Sequence, residues 1–296
     1  MIDPRALRTF LAVCRAGTIS GAARQLNISQ PSVSVAVAQL EHSLGTTLFE
    51  RSRAGSRLTS GGEALRRRAE AMEALLDDAE REARLAGQGV RGLLRIGGTP
   101  GALVSLLPDA IRRLERRPDP FELHVVERSD AELIDLLRKG QIELAFVTTQ
   151  IEEPPADIEE ETFAGDPFAL IVGKRNDHLP ASLSLRETGR LRWVLPEARG
   201  SFRRQVDALF TAADLPFPRD AIRCDSLLLT KAVVRGSERV TVLPRDVAAA
   251  ELSIGVLRAI AIREACFVRQ VGVRRLRDGR GSQLAEELLV TLRHRP

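Results

Sequence analysis

The sequence lacks any apolar stretch near the roughly 18 residues that a membrane-spanning helix needs. Its opening, MIDPRALRTFLAVCRAG, is interrupted by Arg8 and Arg15, so neither an anchor nor a signal peptide is expected and the chain is placed in the cytoplasm. Cysteine is scarce: Cys14, Cys224 and Cys266 are odd in number and widely spaced, which fits neither a disulfide framework nor a metal cluster. A thiol switch between Cys224 and Cys266 is disfavoured, because both lie beside apolar strand residues with no adjacent lysine. Histidine is sparse too. His42, His124, His178 and His294 have no i+4 partner, and no H-E-x-x-H, G-x-S-x-G or P-loop sequence is present. Glu152 and Glu153 belong to EEPPADIEEE, which reads as an acidic, solvated loop. An enzyme, a cofactor and a metal site are therefore not expected. Lysine is limited to Lys139, Lys174 and Lys231, so arginine supplies nearly all of the basic charge.

What is present is an ordinary globular composition, 44% hydrophobic and 28% charged over 296 residues, enough for about two domains. The net charge of +4 is concentrated early. Residues 1 to 60 carry Arg5, Arg8, Arg15, Arg24, Arg51, Arg53 and Arg57 against Asp3, Glu41 and Glu50. From Pro4 onward, Leu7, Phe10, Leu11 and Cys14 recur at i, i+3, i+4 and i+7, and Gly17 follows as a stop. Thr18 or Ser20 caps a second, short helix with Ala22, Ala23 and Leu26 on one side. Asn27 and Ile28 turn the chain, and Ser29 caps a third helix whose buried stripe is Val33, Val37, Leu40 and Leu44 before Gly45. Off that stripe lie Gln30, Ser32, Ser34, Val35, Ala36 and Gln39, small or amide side chains where a solvated helix would carry Glu and Lys. Such a face suits the major groove. The following LFERSRAGSRLT sets Arg51, Arg53 and Arg57 around a Gly55 turn that can grip phosphate, which completes a winged helix-turn-helix pattern. A small helical packing or dimerisation domain has similar spacing and stays open at this point.

The run LRTFLAVCRAGTISGAARQLNISQPSVSVAVAQLEHSLGTTLFERSRAGSRLTSGGEAL closely resembles the DNA-binding domain of LysR-type transcriptional regulators. SQPSVS, QLE and LFERSRAGSRLT are its most specific pieces. The resemblance implies contacts to double-stranded promoter DNA from Ser20, from Gln30, Pro31, Ser32, Ser34 and Gln39 on the third helix, and from Arg51 and Arg53 in the wing. One departure stands out. After the second serine of SQPSVS the family usually has a basic or amide pair, whereas this chain has Val35 and Ala36, which shifts weight to wing contacts, thymine methyls or DNA shape.

Ser60 and Glu63 form an S-x-x-E capping box that opens a long helix. Leu65, Ala69, Met72, Leu76, Ala79, Ala83 and Ala86 follow at alternating spacings of 4 and 3, a heptad seam. At about 1.5 Å per residue the helix is roughly 40 Å long, which favours pairing with a second copy over lying on its own chain. In the LysR resemblance this is the linker helix of the dimer, and tetramers are implied. Gly87, Gly89 and Gly92 spell G-x-G-x-x-G, but a helix precedes and a strand follows, the reverse of a dinucleotide site.

From Leu93 onward LLRIG, ELHVV, ELAFVT, FALIVG, RWVL, RVTVL and CFVRQVGV alternate with amphipathic stretches, the pattern of an α/β domain with a mainly parallel sheet. The segment is similar to the effector-binding region of the same regulators, which implies a bilobal, periplasmic-binding-protein-like α/β fold. The domains then run 3–60 for the winged helix-turn-helix, 61–89 for the linker helix and 92–296 for effector binding. Lobe one is 92–163 with 268–296, and lobe two is 164–267. Ligand residues are expected at strand ends and helix starts: Thr99, Pro100 and Gly101; Thr148 and Thr149; Ser201, Phe202 and Arg203; and more weakly Asp225, Ser226, Leu243 and Pro244. Two of these points are helix N-termini, so a small carboxylate is the expected effector type, with Arg203 as its charged partner. Plain capping by Thr99 and Ser201 is the competing account of those two. Where the family often has paired glycines the chain reads GSERVTVLP, so Ser237 and Arg239 are expected to narrow or charge the pocket edge. The resulting function is effector-modulated DNA binding; a solute-binding sensor without a DNA role remains the alternative.

Overall fold

Asp3 starts the first helix: its carboxylate accepts the Arg5 amide at 2.9 Å and opens α1 (Pro4–Ala16). In the computed structural model, which describes residues 2–52, 55–87, 90, 92–197, 200–265, 268–279 and 281–294, the chain divides into two compact units. The side chains at 51, 52, 55, 78 and 82 lie outside that description. One unit comprises 1–91 with 135–142, the other 92–134 with 143–296.

In the first unit Thr18, rather than Ser20, caps α2 (Ile19–Leu26) by accepting the Gly21 amide. Ser29 caps α3 (Gln30–Leu44) through the Ser32 amide. Gly17, Asn27 and Gly45 close the three helices at φ of 68°, 54° and 65°, a left-handed conformation that glycine and asparagine adopt most readily. The wing is an antiparallel pair, β1 (Phe49–Ser52) and β2 (Gly55–Leu58), with Glu50 opposite Arg57. It is tied down by backbone. Glu41 accepts the amides of Leu48 and Phe49, and the Ser56 amide donates to the Gly17 carbonyl.

Helix α4 (Ser60–Gly87) begins one residue earlier than the S-x-x-E pattern indicates. Thr59 is the cap: its hydroxyl accepts the Gly62 amide at 3.0 Å and its carbonyl the Glu63 amide at 2.9 Å. Ser60 is already helical. Glycine at 62 permits the approach, since a Cβ there would lie 2.2 Å from the Leu48 carbonyl oxygen. The heptad seam also divides. Leu65, Ala69 and Met72 pack with Leu7, Phe10, Leu11, Leu40 and Leu48 of the same chain, because three short helices cannot cover the apolar side of α1 unaided. Ala79, Ala83 and Ala86 are exposed.

The second unit contains β3 (Leu93–Gly98), α5 (Pro100–Leu114), β4 (Glu122–Glu127), the first half of α6 (Asp130–Arg138), β5 (Leu144–Thr148) and β6 (Ile158–Gly173). It continues with β7 (Ser182–Leu183), β8 (Arg192–Leu195), α7 (Ser201–Ala212), β9 (Ala221–Arg223), α8 (Leu227–Gly236) and β10 (Arg239–Pro244). It ends with α9 (Ala249–Ser253), β11 (Leu257–Ile262), β12 (Val268–Leu276) and α10 (Gln283–Arg293). The strand order is β4-β3-β5-β12-β6-β10-β8-β9, with β11 between β6 and β7. The resemblance implies two crossover strands. β6 is one of them, sixteen residues long: its Ile158–Pro167 stretch pairs with β12, and its Phe168–Gly173 stretch with β10 and β11. The sheet therefore changes lobes at 167/168, four residues beyond the expected 163/164. The return passage includes Cys266 and Phe267, which lie outside the described residues, as does any pairing of Cys266.

Lobe one buries α5 and α10 on one apolar layer through Leu103, Leu106, Leu107, Leu284, Leu288 and Leu289. In lobe two the period of a strand sorts the core: Phe168, Leu170, Val172, Trp193 and Leu195 face α7, while Ala169, Ile171 and Val194 share a cluster with Val234 of α8. The acidic segment after Pro155 is not the solvated loop expected. Ile158–Glu161 is strand, and Arg275, Arg274 and Arg293 pair with Glu159, Glu160 and Glu161 respectively. Arginines of the neighbouring strand β12 and of helix α10 compensate the carboxylates.

Candidate functional site

Two surfaces carry chemistry, one in each unit. On the first, Val33, Val37 and Leu40 anchor α3 in the core, which leaves Gln30, Pro31, Ser32, Val35 and Gln39 exposed and Ser34 half-buried along the opposite side. Val35 is 54% exposed. Ser32 and Ser29 share a 2.7 Å hydroxyl contact at the start of that face. Ser20 is exposed in the first turn of α2, as are Arg24 and Arg57 elsewhere in the unit. Arg53 and the side chain of Arg51 lie outside the described residues. The exposed face holds amides, hydroxyls and a methyl-bearing side chain, groups able to read base edges at short range.

On the second, a cavity of roughly 760 Å³ opens between the lobes. Thr99, Pro100 and Gly101 line it where β3 passes into α5, and Thr99 caps that helix by backbone only, its side chain making no cap hydrogen bond. Thr148 lines it from the end of β5. Thr149 points the other way, sharing a 2.8 Å hydroxyl contact with Thr162 of β6, as strand alternation requires. From lobe two come Ser201, Phe202 and Arg203 at the start of α7, with Asp225, Leu243 and Pro244. Phe202 stacks on Phe168, ring centres 6.4 Å apart. Ser226 caps α8 through the Leu229 amide and is not part of the lining.

Besides Thr149 and Ser226, which stay out of the lining, two further sequence expectations need correction. Arg203 is already engaged: its Nε donates to both Asp207 oxygens at 2.8 and 2.9 Å, its Nη1 to the Pro196 carbonyl, and its guanidinium lies 4.5 Å over Phe217. The carboxylate one helical turn away takes the role that a ligand was expected to take. Ser237 and Arg239, unlike Arg203, do not edge the cavity; Arg239 donates to the Trp193 carbonyl and to Asp220, and Ser237 to the Val233 carbonyl.

The sequence reading missed Arg269. This residue of β12 lines the cavity, is only 2% exposed, and donates through Nε to Thr148 Oγ1 at 3.2 Å. Its guanidinium lies against the first turn of α5, where a Cβ on Gly101 would come within 2.9 Å of Nη1. Burial pulls its pKa down to about 10, against the opposing field of Asp166, Asp246 and Asp130, so it stays charged at neutral pH. Asp166, opposite it on β6, is fully buried and accepts from Ser105 Oγ at 3.0 Å and the Asp246 amide at 2.9 Å. Burial pushes the Asp166 carboxyl up, opposed by those hydrogen bonds and by Arg269. Also missed were Asp130, whose Oδ2 accepts from Ser201 Oγ at 2.9 Å, and the Arg204–Glu152 pair at 3.0 Å; each joins α7 to lobe one. A lone arginine inside the apolar run CFVRQVGV, and a lone aspartate opening FALIVG, were the available signals.

The chain matches two family models: the bacterial regulatory helix-turn-helix protein, lysR family, over residues 4–63, and the LysR substrate binding domain over residues 87–296. It is 31% identical over 211 residues to the HTH-type transcriptional regulator CatR of Pseudomonas putida, covering 71% of each chain. Among solved structures it is similar to a full-length, singly substituted OxyR of Pseudomonas aeruginosa (TM-score 0.69, 23% identity, 99% of this chain and 95% of that one). It is also similar to full-length CbnR complexed with its target DNA (TM-score 0.66, 22% identity, 98% and 99%).

Proposed function

Because the chain belongs to the LysR family of DNA-binding transcriptional regulators and carries that family's effector-binding region, we propose that a small carboxylate in the 760 Å³ cavity modulates its hold on promoter DNA. The observation that carries the carboxylate is the buried Arg269 guanidinium beside the α5 N-terminus, a cation and a set of backbone donors facing one space. Thr99, Pro100, Gly101, Thr148, Ser201 and Phe202 shape that space. DNA is contacted in this reading by Ser20, Gln30, Pro31, Ser32, Ser34 and Gln39, with Arg51 and Arg53 of the wing on phosphate. The winged module spans 3–60, α4 joins two copies through the exposed part of its seam, and the lobes of 92–296 form the cytoplasmic sensor. Two such dimers make the tetramer. A ligand that binds one lobe arrangement more tightly shifts the assembly between DNA-bound geometries by no more than that difference in affinity.

The test is fluorescence anisotropy of the full chain on the DNA upstream of its own gene and on scrambled DNA, across a salt series. Binding about tenfold or more tighter to the upstream DNA, with a steep salt slope, is the expected result, and Arg51→Ala lowers the slope by about 1. Equal, weak binding to both DNAs, with no change in slope, refutes the DNA role.

A further inference from the structure

Helix α3 carries one apolar side chain that the fold does not use. Val33 and Val37 are buried in the core, and Val35 stands about 200° round the helix from each, so it is turned to solvent. Among the described residues of 1–60, Ile28 and Val35 are the exposed large apolar side chains, and of the two only Val35 lies within a helix. Valine in that place serves neither the helix nor the core: a β-branched residue is a poorer helix former than alanine, lysine or glutamate, and its methyls meet water. Its neighbours one turn away are Pro31 and Ser32 before it and Ala38 and Gln39 after it, all exposed. The Ser32 hydroxyl is already engaged with Ser29 at 2.7 Å. Amides therefore stand at the two ends of the face, on Gln30 and Gln39, while its centre presents methyl groups.

We infer that Val35 selects thymine in the promoter DNA, its methyls packing on the C5-methyl group in the major groove. This rests on the reading of α3 as the helix that contacts DNA and narrows it. Of the four bases thymine alone presents a methyl group in that groove. Against adenine, guanine or cytosine, Val35 covers a base-edge donor or acceptor without replacing the water taken from it, and that loss discriminates against them. In a helix valine keeps one dominant rotamer, so its methyls are held in place without the ordering cost that a long arginine or glutamine would carry. The charge of the same unit fixes the partner. Residues 1 to 60 hold seven arginines against three acidic residues, and Arg5, Arg8, Arg24 and Arg57 are exposed, which suits a phosphate-lined surface rather than an apolar one.

The full-length protein is first used to select binders from a DNA duplex pool carrying about thirty random base pairs, enough for two half-sites a turn or two apart. Each thymine of the selected duplex is then replaced in turn by deoxyuridine, which deletes the C5-methyl and keeps the base pairing, and fluorescence anisotropy reads the binding. At one thymine or more in each half-site the deletion should weaken binding about fourfold, and about tenfold or more when both half-sites lose the methyl. Val35→Ala keeps the fold, alanine being the better helix former, and should bind the thymine and deoxyuridine duplexes alike at that position. Val35→Arg should gain affinity from phosphate on either duplex and lose the dependence as well. Deoxyuridine tolerated at every thymine, or a penalty that Val35→Ala leaves unchanged at every position, overturns the methyl contact and leaves the DNA role standing. A pool from which no sequence is enriched overturns both.

Discussion

Replacing Gly272 with alanine perturbs a close approach of β12 to β6. The register of β12 on β6 shifts between Val271 and Gly272, and a Cβ at 272 would lie 2.0 Å from the Glu161 carbonyl oxygen and 2.8 Å from Thr162 Cα. These are backbone atoms, so no side-chain rotation relieves the clash. Restoring an ordinary contact of about 3.4 Å requires the strands to part locally by about 1.4 Å, which takes a ladder hydrogen bond of about 2.9 Å well beyond bonding range. One ladder bond lost in this buried region leaves an N–H and a C=O unmatched, at roughly 1–3 kcal/mol for each group, a cost of about 2–6 kcal/mol. For a unit of about 200 residues that is a fall of roughly 5–20 °C in melting temperature. Far-ultraviolet circular dichroism of the full chain reads the transition. The sole tryptophan, Trp193, buried in lobe two against Phe210, reports whether the far lobe unfolds with it. A melting temperature within about 2 °C of the parent protein would refute the packing argument.

Other outcomes follow from residues already placed. Burial pushes the Cys14 thiol up from 9.0 to about 12, so native protein should alkylate there at least about tenfold more slowly than an ordinary thiol; mass spectrometry after iodoacetamide treatment reads it, and an ordinary rate would count against the burial. Thr59→Ala removes the α4 cap and should cost about 1 kcal/mol in urea denaturation of the N-terminal unit, whereas Ser60→Ala should be nearly silent; the reverse ranking would return the cap to Ser60. Val35→Arg restores a donor on the exposed side of α3, and anisotropy should show tighter DNA binding with a steeper salt slope, an outcome that an unchanged slope would contradict. The Arg293 hydrogen bond holds the Glu161 carboxyl below its usual range. The unfolded chain therefore takes up this proton first as pH falls, and the contribution to stability, fully present above the ordinary carboxylate range, disappears as pH drops through the folded value. Glu161→Gln should flatten the acid limb of urea midpoint against pH, and an identical limb in both proteins would exclude the linkage.

The helical unit was legible because its rules are local. Gly17, Asn27, Ser29 and Gly45 punctuate the chain within one or two residues of the observed helix ends. Where the reading slipped, tertiary partners decided. Thr59 outcompetes Ser60 because the wing fixes the entry of α4, and the first half of the heptad seam turns inward because α1 needs cover. In the second unit the apolar strands were found, but the acidic first half of β6 was not, since its ion-pair partners lie more than a hundred residues away on β12 and α10. LRAIAI, which forms β11, also escaped notice. For the cavity, strand ends and helix starts located Thr99, Gly101, Thr148 and Ser201. The charge was misassigned because spacing along the sequence cannot show that Asp207 neutralises Arg203 while Arg269 arrives from the far end of the chain.

The continuity of β6 limits how the lobes can move. One uninterrupted strand belongs to both sheets, pinned by β12 along one stretch and by β10 and β11 along the other. Sliding one lobe past the other would break register along its whole length, so the soft coordinate left is torsion of the strand about its own axis near Pro167 and Phe168. The sensor then behaves as a torsion bar: a ligand does work against the twist of the links between the lobes, β6 foremost, and their joint stiffness sets how many degrees of rotation a given binding energy yields.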